Sequence, residues 1–438
     1  MKKNLSQWLE YMGSIHVSAI DMGLDRVLPV ADELGLLKSA WQGKCPYVFT
    51  VAGTNGKGST TATIAQICQA SGLKTALYQS PHLVSFTERV RIDGVEISED
   101  NLIKAFEVIE QARLNKGVSL SFFEMTTLAA FWLFLQANCD VWVLEIGLGG
   151  RLDVVNIIDP DLAVITNIGI DHVDWLGDNL DDIGREKAGI MRADIPVILG
   201  EYQMPASVYE QAKSLDAKVC QLGVHYDYQE NLENWTYGLS AITASLPKPN
   251  LSLKNAANAV SAVLASSLNI SVNAIKTGLQ QVQLAGRFDK RVLENRQWIF
   301  DVGHNEAGII FLLEQLTRYW KEYQTNKPNA NLFFLFSMLG DKDVPSVIKQ
   351  VRQAIDEQAL PQAMWHIAAI DHQRAMSLPC LLDYLNKEIE PECIITYDNL
   401  AQATQGVIKA SSDDDLIVAF GSFHTIGESL TALIGKSF

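Results

Sequence analysis

Residues 53–60 read Gly-Thr-Asn-Gly-Lys-Gly-Ser-Thr, follow the apolar run Tyr47 to Ala52, and lead straight into a helical pattern. Strand, glycine-rich turn, lysine, hydroxyl pair and helix are the parts of a phosphate cradle. Glycines let backbone N–H groups converge on phosphate oxygens, a helix N-terminus adds favourable potential, and a lysine neutralises charge on the terminal phosphates. Thr54, Asn55, Gly56, Lys57, Gly58, Ser59 and Thr60 are therefore the candidate nucleotide-binding residues, with Lys57 placed to act in phosphoryl transfer. The spacing departs from the common phosphate loop: two residues rather than four stand before Gly-Lys, and Gly58 intervenes before Ser59.

A Mg²⁺ ion that accompanies ATP takes oxygen donors and keeps several waters. Three further stretches, 79–83, 145–153 and 166–172, sit at the carboxyl ends of predicted strands, where open parallel sheets place ligands. Glu145 closes the run VWVLEI, where a charge needs a cation or partner. It is either a ligand or a salt-bridged core carboxylate. Asp171 and His172 belong to such a site or cap a helix. Lys187, in GREKAGI, reads from the residues alone as an ordinary exposed lysine on a helix.

These residues need a scaffold, and β-branched runs alternating with helical patterns supply one. Strands are predicted at 47–52, 74–79, 141–146, 162–166 and 196–199, with helices at 60–72, 99–113 and 122–137. Residues 200–250 lack clear periodicity and suggest a small antiparallel excursion, and 254–284 return to helix. A second alternation follows: strands at 298–302, 332–336, 364–368 and 416–420, and helices at 306–323, 344–358 and 377–387. The fold class is thus α/β: an N-terminal phosphate-loop ATPase domain with a mostly parallel sheet over 1–285, and a smaller Rossmann-like α/β domain over 286–438. Asp413 to Asp415 reads as a solvated turn.

The 438 residues exceed one ordinary core. A net charge of −16 disfavours a nucleic-acid partner, because a phosphate backbone is bound through a broad basic surface. The six scattered cysteines show no metal-ligand spacing and fit a reducing compartment. No signal-peptide h-region is present, and the most apolar stretch, Leu128 to Leu135, is far short of the ~20 residues that span a bilayer. A cytoplasmic enzyme without a membrane partner is expected. Neither heptads nor apolar patches call for an oligomer, so a monomer is expected too.

The GTNGKGS variant is the one found in Mur-type amide ligases. With IDMGLDRV (20–27), SPHLVSFTERVRIDG (80–94), SFFEMTTLAAFWLF (121–134), LEIGLGGRLDVVNI (144–157), REKAGI (185–190), DVGHN (301–305) and GSFHTIGE (421–428), the chain closely resembles the folylpolyglutamate synthase/dihydrofolate synthase family almost end to end. The resemblance implies ATP- and Mg²⁺-dependent joining of L-glutamate to dihydropteroate and to reduced folates through an acyl phosphate. It implies that Ser80, Glu145 and His172 are magnesium ligands, and that Lys187 carries a CO₂-derived carbamate. Asn255, Arg287 and Asp301 match nucleotide-contacting positions. For His304 and Ser422 the alternatives are a hold on ATP or glutamate and a purely structural role.

Asp21, Met22 and Gly23 match the loop that clamps the pterin in members able to use dihydropteroate. Ser121, Phe122, Phe123 and Glu124, with Leu152, Asp153 and Val154, fall around the same substrate. Phe122 and Phe123 suit a flat ring and Glu124 its amino group, or they simply pack the helix. Gly303 departs from the family's more usual alanine. A Mur ligase acting on a UDP-linked peptide would need its own N-terminal uridine-binding domain, and the roughly 50 residues before the loop are too few for one. A nucleotide-gated switch would leave Glu145, His172 and Lys187 unexplained.

Overall fold

The computed structural model describes residues 3–16, 21–43, 45–231, 234–239 and 242–435, so Ile20 of the 20–27 stretch lies outside the described residues. The chain forms two compact units: Met1–His82 with Phe86–Val282, and Leu83–Ser85 with Gln283–Phe438.

The first unit is built on an eight-stranded sheet of β1 (Tyr47–Ala52), β2 (Thr75–Tyr78), β3 (Val90–Ile92), β4 (Val95–Glu96), β5 (Val141–Glu145), β6 (Leu162–Ile165), β7 (Pro196–Leu199) and β8 (Lys218–Gln221), in the order β4-β3-β2-β5-β1-β6-β7-β8. All pairs from β2 to β8 across the sheet are parallel; β3 and β4 run antiparallel at one edge. From β1 the chain moves to β2 and back to β5, then crosses β1 to reach β6. That reversal leaves a crevice at the carboxyl ends of β1 and β6.

Its helices are α1 (Leu5–Ser14), α2 (Val27–Glu33), α3 (Lys57–Ala70), α4 (Glu99–Lys116), α5 (Phe122–Gln136), α6 (Val173–Leu176), α7 (Leu180–Ala188), α8 (Ala206–Ser214), α9 (Leu253–Ala265) and α10 (Val272–Gln281). The period-two alternation of the strands divides the core. Val48, Trp142, Leu144 and Ile165 pack on the face of α4 and α5, while Phe49, Val51, Val143 and Val164 pack on the face of α3 and α9. Each such fully buried side chain contributes about 1.5–3 kcal/mol.

Two expectations are refined here. Helix α3 begins at Lys57 rather than at residue 60, because Gly56 at φ 83° turns the chain directly into it. The 200–250 stretch does contain an antiparallel sheet, β9 (Asp227–Glu230), β10 (Asn234–Leu239) and β11 (Ile242–Pro247), but only after α8 and β8 have extended the main sheet. Within it the central β10 buries Trp235 and Tyr237, while the edge strand β9 is mostly exposed.

The second unit orders its strands β12-β13-β17-β14-β15-β16: β12 (Asp289–Leu293), β13 (Arg296–Asp301), β14 (Leu332–Phe336), β15 (Ala363–Ile367), β16 (Ile394–Thr396) and β17 (Leu416–Phe420). Only the edge pair β12–β13 is antiparallel. Helices α11 (Glu306–Asn326), α12 (Val344–Asp356), α13 (Leu378–Leu385), α14 (Leu400–Ala410) and α15 (Phe423–Ile434) cover it. Asp415 is buried rather than solvated. Its carboxylate accepts the Asn331 N–H at 2.7 Å and the Ser412 N–H at 2.6 Å, tying the β17 entry to the start of β14.

Candidate functional site

The buried strand β1 delivers residues 53–56 to the crevice between β1 and β6. Gly53 has φ 150°, and a Cβ there would lie 1.8 Å from Thr166 Oγ1. Gly56 has φ 83°, and its Cβ would lie 2.4 Å from Asn255 Oδ1. Side chains are thus excluded at both positions by conformation and by neighbours. The loop is fastened from outside. Thr166 Oγ1 donates to Asn55 O (2.6 Å), and Asn167 Oδ1 accepts the N–H groups of Thr54 (3.1 Å) and Asn55 (2.8 Å). Thr54 Oγ1 donates to Gly169 O and accepts the Gly169 N–H, at 3.0 and 2.9 Å.

Helix α3 starts on Gly56 with no side-chain cap, so its first-turn N–H groups remain directed at the loop. Gly58 O accepts from Gln79 Nε2 at 2.8 Å, Ser59 is buried, and the buried Thr60 Oγ1 has no hydrogen-bond partner among the described residues. Lys57 curls back over the loop, its Nζ donating to Gly53 O (3.0 Å) and Thr54 O (3.3 Å).

Lys187 corrects the reading of it as an exposed helical lysine. It is 5 % exposed, and its Nζ donates to Gly53 O at 3.2 Å, the same carbonyl that Lys57 uses. Burial and then the charge of Lys57 bring its pKa down to about 7, against the opposing pull of Asp171 and Asp153. A substantial fraction is therefore neutral amine near pH 7.

The approach of α7 is made by small residues on the 145–153 loop. A Cβ on Gly150 would lie 2.7 Å from Glu186 O, and one on Gly189 would lie 2.3 Å from Arg151 Cβ. Arg151 seals the junction through its N–H to Glu186 O (2.8 Å) and its guanidinium to the Glu186 carboxylate (2.6 Å). Asp153 is buried, and its carboxylate accepts the N–H groups of Leu148 (2.7 Å) and Val155 (2.8 Å). Burial pushes its pKa up to about 6 despite those donors and the charge of Lys57.

Ser80, Glu145 and His172 stand after β2, at the end of β5 and after β6, three strands grouped around β1. Glu145 is buried in register with Val51, and the charge of the partly buried Arg89 reaches it. His172 is half-exposed at φ 51°, opening α6, with Nε2 3.7 Å from Asp171 Oδ2. Among the described residues no three His, Cys, Asp or Glu side chains group as a closed metal cage. A hydroxyl, a carboxylate and an imidazole beside a phosphate cradle nevertheless suit an ion that shares its ligands with substrate phosphates.

The 121–124 segment opens α5 with a reciprocal cap: Ser121 Oγ accepts the Glu124 N–H, and Glu124 Oε2 accepts the Ser121 N–H at 2.6 Å. Phe123 lies against Gly147, where a Cβ would sit 2.4 Å from its ring, and 6.2 Å from Tyr78. Phe122 meets Phe86 edge-on at 5.8 Å. Met22 Cε would lie 3.4 Å from a Cβ on Gly149, so the 21–23 segment borders the same loop. Gly23 has φ 144°, Leu152 is half-buried, and Val154 is buried where a 3₁₀ turn begins. The 21–23, 121–124 and 147–154 stretches therefore come together.

In the second unit, Asp301 is buried at the end of β13 and accepts the N–H groups of Phe288 and Gly303, both at 2.8 Å. Burial raises its pKa, and the charge of Arg287 opposes the rise. The Arg287 guanidinium lies 5.3 Å from the Phe423 ring, and His304 Nδ1 donates to Val302 O at 2.8 Å. Ser422 Oγ accepts the Thr425 N–H at 3.0 Å and so caps α15.

Sequence reasoning passed over Asn167, which holds the loop N–H groups, and Arg26, whose guanidinium joins Asp21 to Glu124. Both lie inside stretches it had marked, but only the fold shows what they touch.

A parallel sheet with an open phosphate loop at its switch point and a buried lysine beside it defines a Mur-type ligase core. The family model for the Mur ligase middle domain matches residues 51–224. The dihydrofolate synthase/folylpolyglutamate synthase of Escherichia coli K12 is 39% identical over 430 residues, covering 98% of this chain and 95% of that protein. The solved structure of E. coli FolC in complex with DHPP and ADP superposes with a TM-score of 0.85 at 37% identity, covering 99% of this chain and 98% of the other. A bifunctional folylpolyglutamate synthase/dihydrofolate synthase with Mn, AMPPNP and L-glutamate bound gives 0.84 at 36%, covering 98% of each. The chain belongs to the dihydrofolate synthase/folylpolyglutamate synthase family.

Proposed function

We propose that this protein joins L-glutamate to dihydropteroate, giving dihydrofolate, and to the γ-carboxylate of reduced folates, at the expense of ATP. The observation that carries the reading is the meeting of Lys57 and Lys187 on the carbonyl of Gly53, inside a loop whose helix is left uncapped. The relatives' names and their bound ADP, AMPPNP and glutamate support the same reaction.

Residues 54–60 hold the phosphates of ATP, with Asn255, Arg287, Asp301 and His304 as further nucleotide contacts. Lys57 follows charge onto the transferring phosphoryl oxygens as the substrate carboxylate attacks the γ-phosphorus in line and the bond to the departing ADP breaks. The acyl phosphate so formed is open to the deprotonated glutamate amine, and phosphate leaves from the tetrahedral adduct as the nitrogen gives up a proton to a base. Ser80, Glu145 and His172 are the proposed Mg²⁺ ligands; the ion supplies charge neutralisation at the phosphates.

Lys187, neutral in good part near pH 7, attacks CO₂ through its nitrogen lone pair and releases a proton. The resulting carbamate puts an anion beside Lys57 where a neutral amine stood. Asp21 to Gly23, Ser121 to Glu124 and Leu152 to Val154 are the proposed pterin contacts, and Ser422 is a proposed glutamate contact. No helix among the described residues is long and apolar enough to cross a membrane. A monomer acting in the cytoplasm is the proposed state.

The test is ADP release with Mg²⁺-ATP and glutamate, comparing dihydropteroate, tetrahydrofolate and a UDP-muramoyl peptide as acceptors. Turnover with both pterins is expected. Turnover with tetrahydrofolate alone would reduce the protein to a polyglutamate synthase, and turnover only with the UDP-linked acceptor would overturn the proposal.

A further inference from the structure

Asp21 and Glu124 are about a hundred positions apart in sequence, yet a single guanidinium joins them. Arg26 Nη1 lies 2.9 Å from Asp21 Oδ2, and Arg26 Nη2 lies 2.8 Å from Glu124 Oε1. Glu124 is 3 % exposed, and its second oxygen already accepts the Ser121 N–H at 2.6 Å. Its carboxylate is therefore engaged on both sides by the chain itself. Asp21 is one-third exposed; besides Arg26, its Oδ2 meets His16 Nε2 at 3.0 Å, and His16 Nδ1 in turn meets Ser119 Oγ at 3.0 Å. The loop before α2 is thus fastened to the segment leading into α5 at two points.

A planar fork with two separate N–H arms can bridge two carboxylates at once, whereas an ammonium is a single point charge on a flexible stem. Without that fork the two carboxylates would face each other partly desolvated, and the 21–26 segment would lose its anchor to α5. Glu124 then reads as part of the anchor, while the one-third-exposed Asp21 is the carboxylate of the pair that keeps access to solvent.

We propose that Arg26 is the positioning residue of the pterin end: its fork fixes Asp21 to Gly23 against the Ser121–Glu124 cap, and this sets how well the enzyme uses dihydropteroate relative to reduced folates. The inference rests on the proposed placement of the pterin beside residues 21–23. The asymmetry follows from the substrates. Dihydropteroate has only its ring system and benzoate to hold it, while a reduced folate adds a glutamyl group with its own carboxylates. Misaligning the ring-binding loop removes a larger share of the binding of the smaller acceptor.

The experiment is steady-state kinetics of full-length wild type, R26A and R26K with dihydropteroate and with tetrahydrofolate, at saturating ATP and glutamate. R26A is expected to raise the dihydropteroate KM at least tenfold with kcat within threefold. The ratio of kcat/KM for dihydropteroate over tetrahydrofolate is expected to fall at least fivefold. R26K should lower that ratio at least threefold, since one ammonium cannot span both carboxylates, and it serves if R26A is insoluble. Both activities are read on the same molecules, so partial misfolding lowers them together and leaves the ratio unmoved. A wild type active on both acceptors with a ratio within twofold in the variants overturns the role of Arg26 alone. A wild type inactive on dihydropteroate overturns the functional reading and this inference together.

Discussion

The carboxyl ends of the two sheets handle the same local problem in opposite ways. After β1 the chain turns on two glycines and enters α3 with no side chain over its first-turn N–H groups. After β13 and β17 it enters α11 and α15 through Asn305 and Ser422, whose side-chain oxygens accept the N–H groups of Gly308 (2.9 Å) and Thr425 (3.0 Å). A helix start closed by its own chain is satisfied; one left open by glycine is a place where a ligand oxygen completes the hydrogen bonding. The first unit therefore carries its chemistry in backbone conformation and in two convergent lysines. The second offers positioned side chains on a finished scaffold. Substitutions in the two places should fail in different ways.

The largest effect is expected at Lys187. Lys187→Ala should reduce ADP release at least a hundredfold, with partial rescue by a small added carboxylate; wild-type activity in the variant would sink the carbamate role. The same residue makes a pH prediction. Its pKa of about 7 in the folded state lies below the ordinary 10.5. Between those values the unfolded chain binds a proton that the folded chain does not, so this group makes stability rise with pH, by up to about 1.4 kcal/mol per pH unit. Below that window the buried charge is fully penalised. Lys187→Met should therefore be more stable than wild type by its widest margin near pH 6.5, and the margin should narrow by pH 9.5. Parallel urea-unfolding curves with a constant difference across that range would contradict the burial argument.

Next come the glycines, one in each unit. Gly56→Ala puts a Cβ 2.4 Å from the Asn255 side chain at a φ of 83° that L-residues rarely adopt. It should raise the KM for ATP at least tenfold and cost about 1–3 kcal/mol of stability. Gly303→Ala meets Asp301 Oδ1 at 3.0 Å and Gly308 O at 3.2 Å, tight contacts that small shifts relieve. It should cost about 1 kcal/mol or less, with ATP-dependent turnover within threefold. Equal losses from the two would erase the distinction between the sheets.

What the sequence made legible follows the same division. The phosphate loop could be read because its chemistry is local: glycines, a lysine and a helix start within eight consecutive residues, 53–60. The strands of both sheets were readable from their apolar runs for a similar reason. Lys187 was not, since the segment Leu180–Ala188 is polar for most of its length. Its burial comes from Gly150 and Arg151, more than thirty positions away. Arg26 and Asn167 were hidden likewise, since Glu124 lies about a hundred positions from Arg26 and Thr54 and Asn55 lie as far from Asn167. Asp415 looked solvated beside two other acids, yet it is consumed by the Asn331 and Ser412 N–H groups. Family resemblance marked several of these stretches, but which atom meets which is a property of the fold.

The smallest expected effect decides between the two readings of Ser422. Its hydroxyl oxygen accepts the Thr425 N–H at 3.0 Å and lies 2.8 Å from Thr425 Oγ1, which itself donates to Ser337 O at 2.8 Å. Both of its visible contacts serve the start of α15. If capping is all it does, Ser422→Ala should cost about 1 kcal/mol and lower the melting temperature by a few degrees, while the KM for glutamate stays within twofold. Ser422→Thr, which keeps both the acceptor at the cap and the O–H toward Thr425, should then recover the stability. A glutamate KM raised tenfold in Ser422→Ala at an unchanged melting temperature would show instead that the hydroxyl holds substrate. The second unit would then share the chemistry that the comparison assigns to the first.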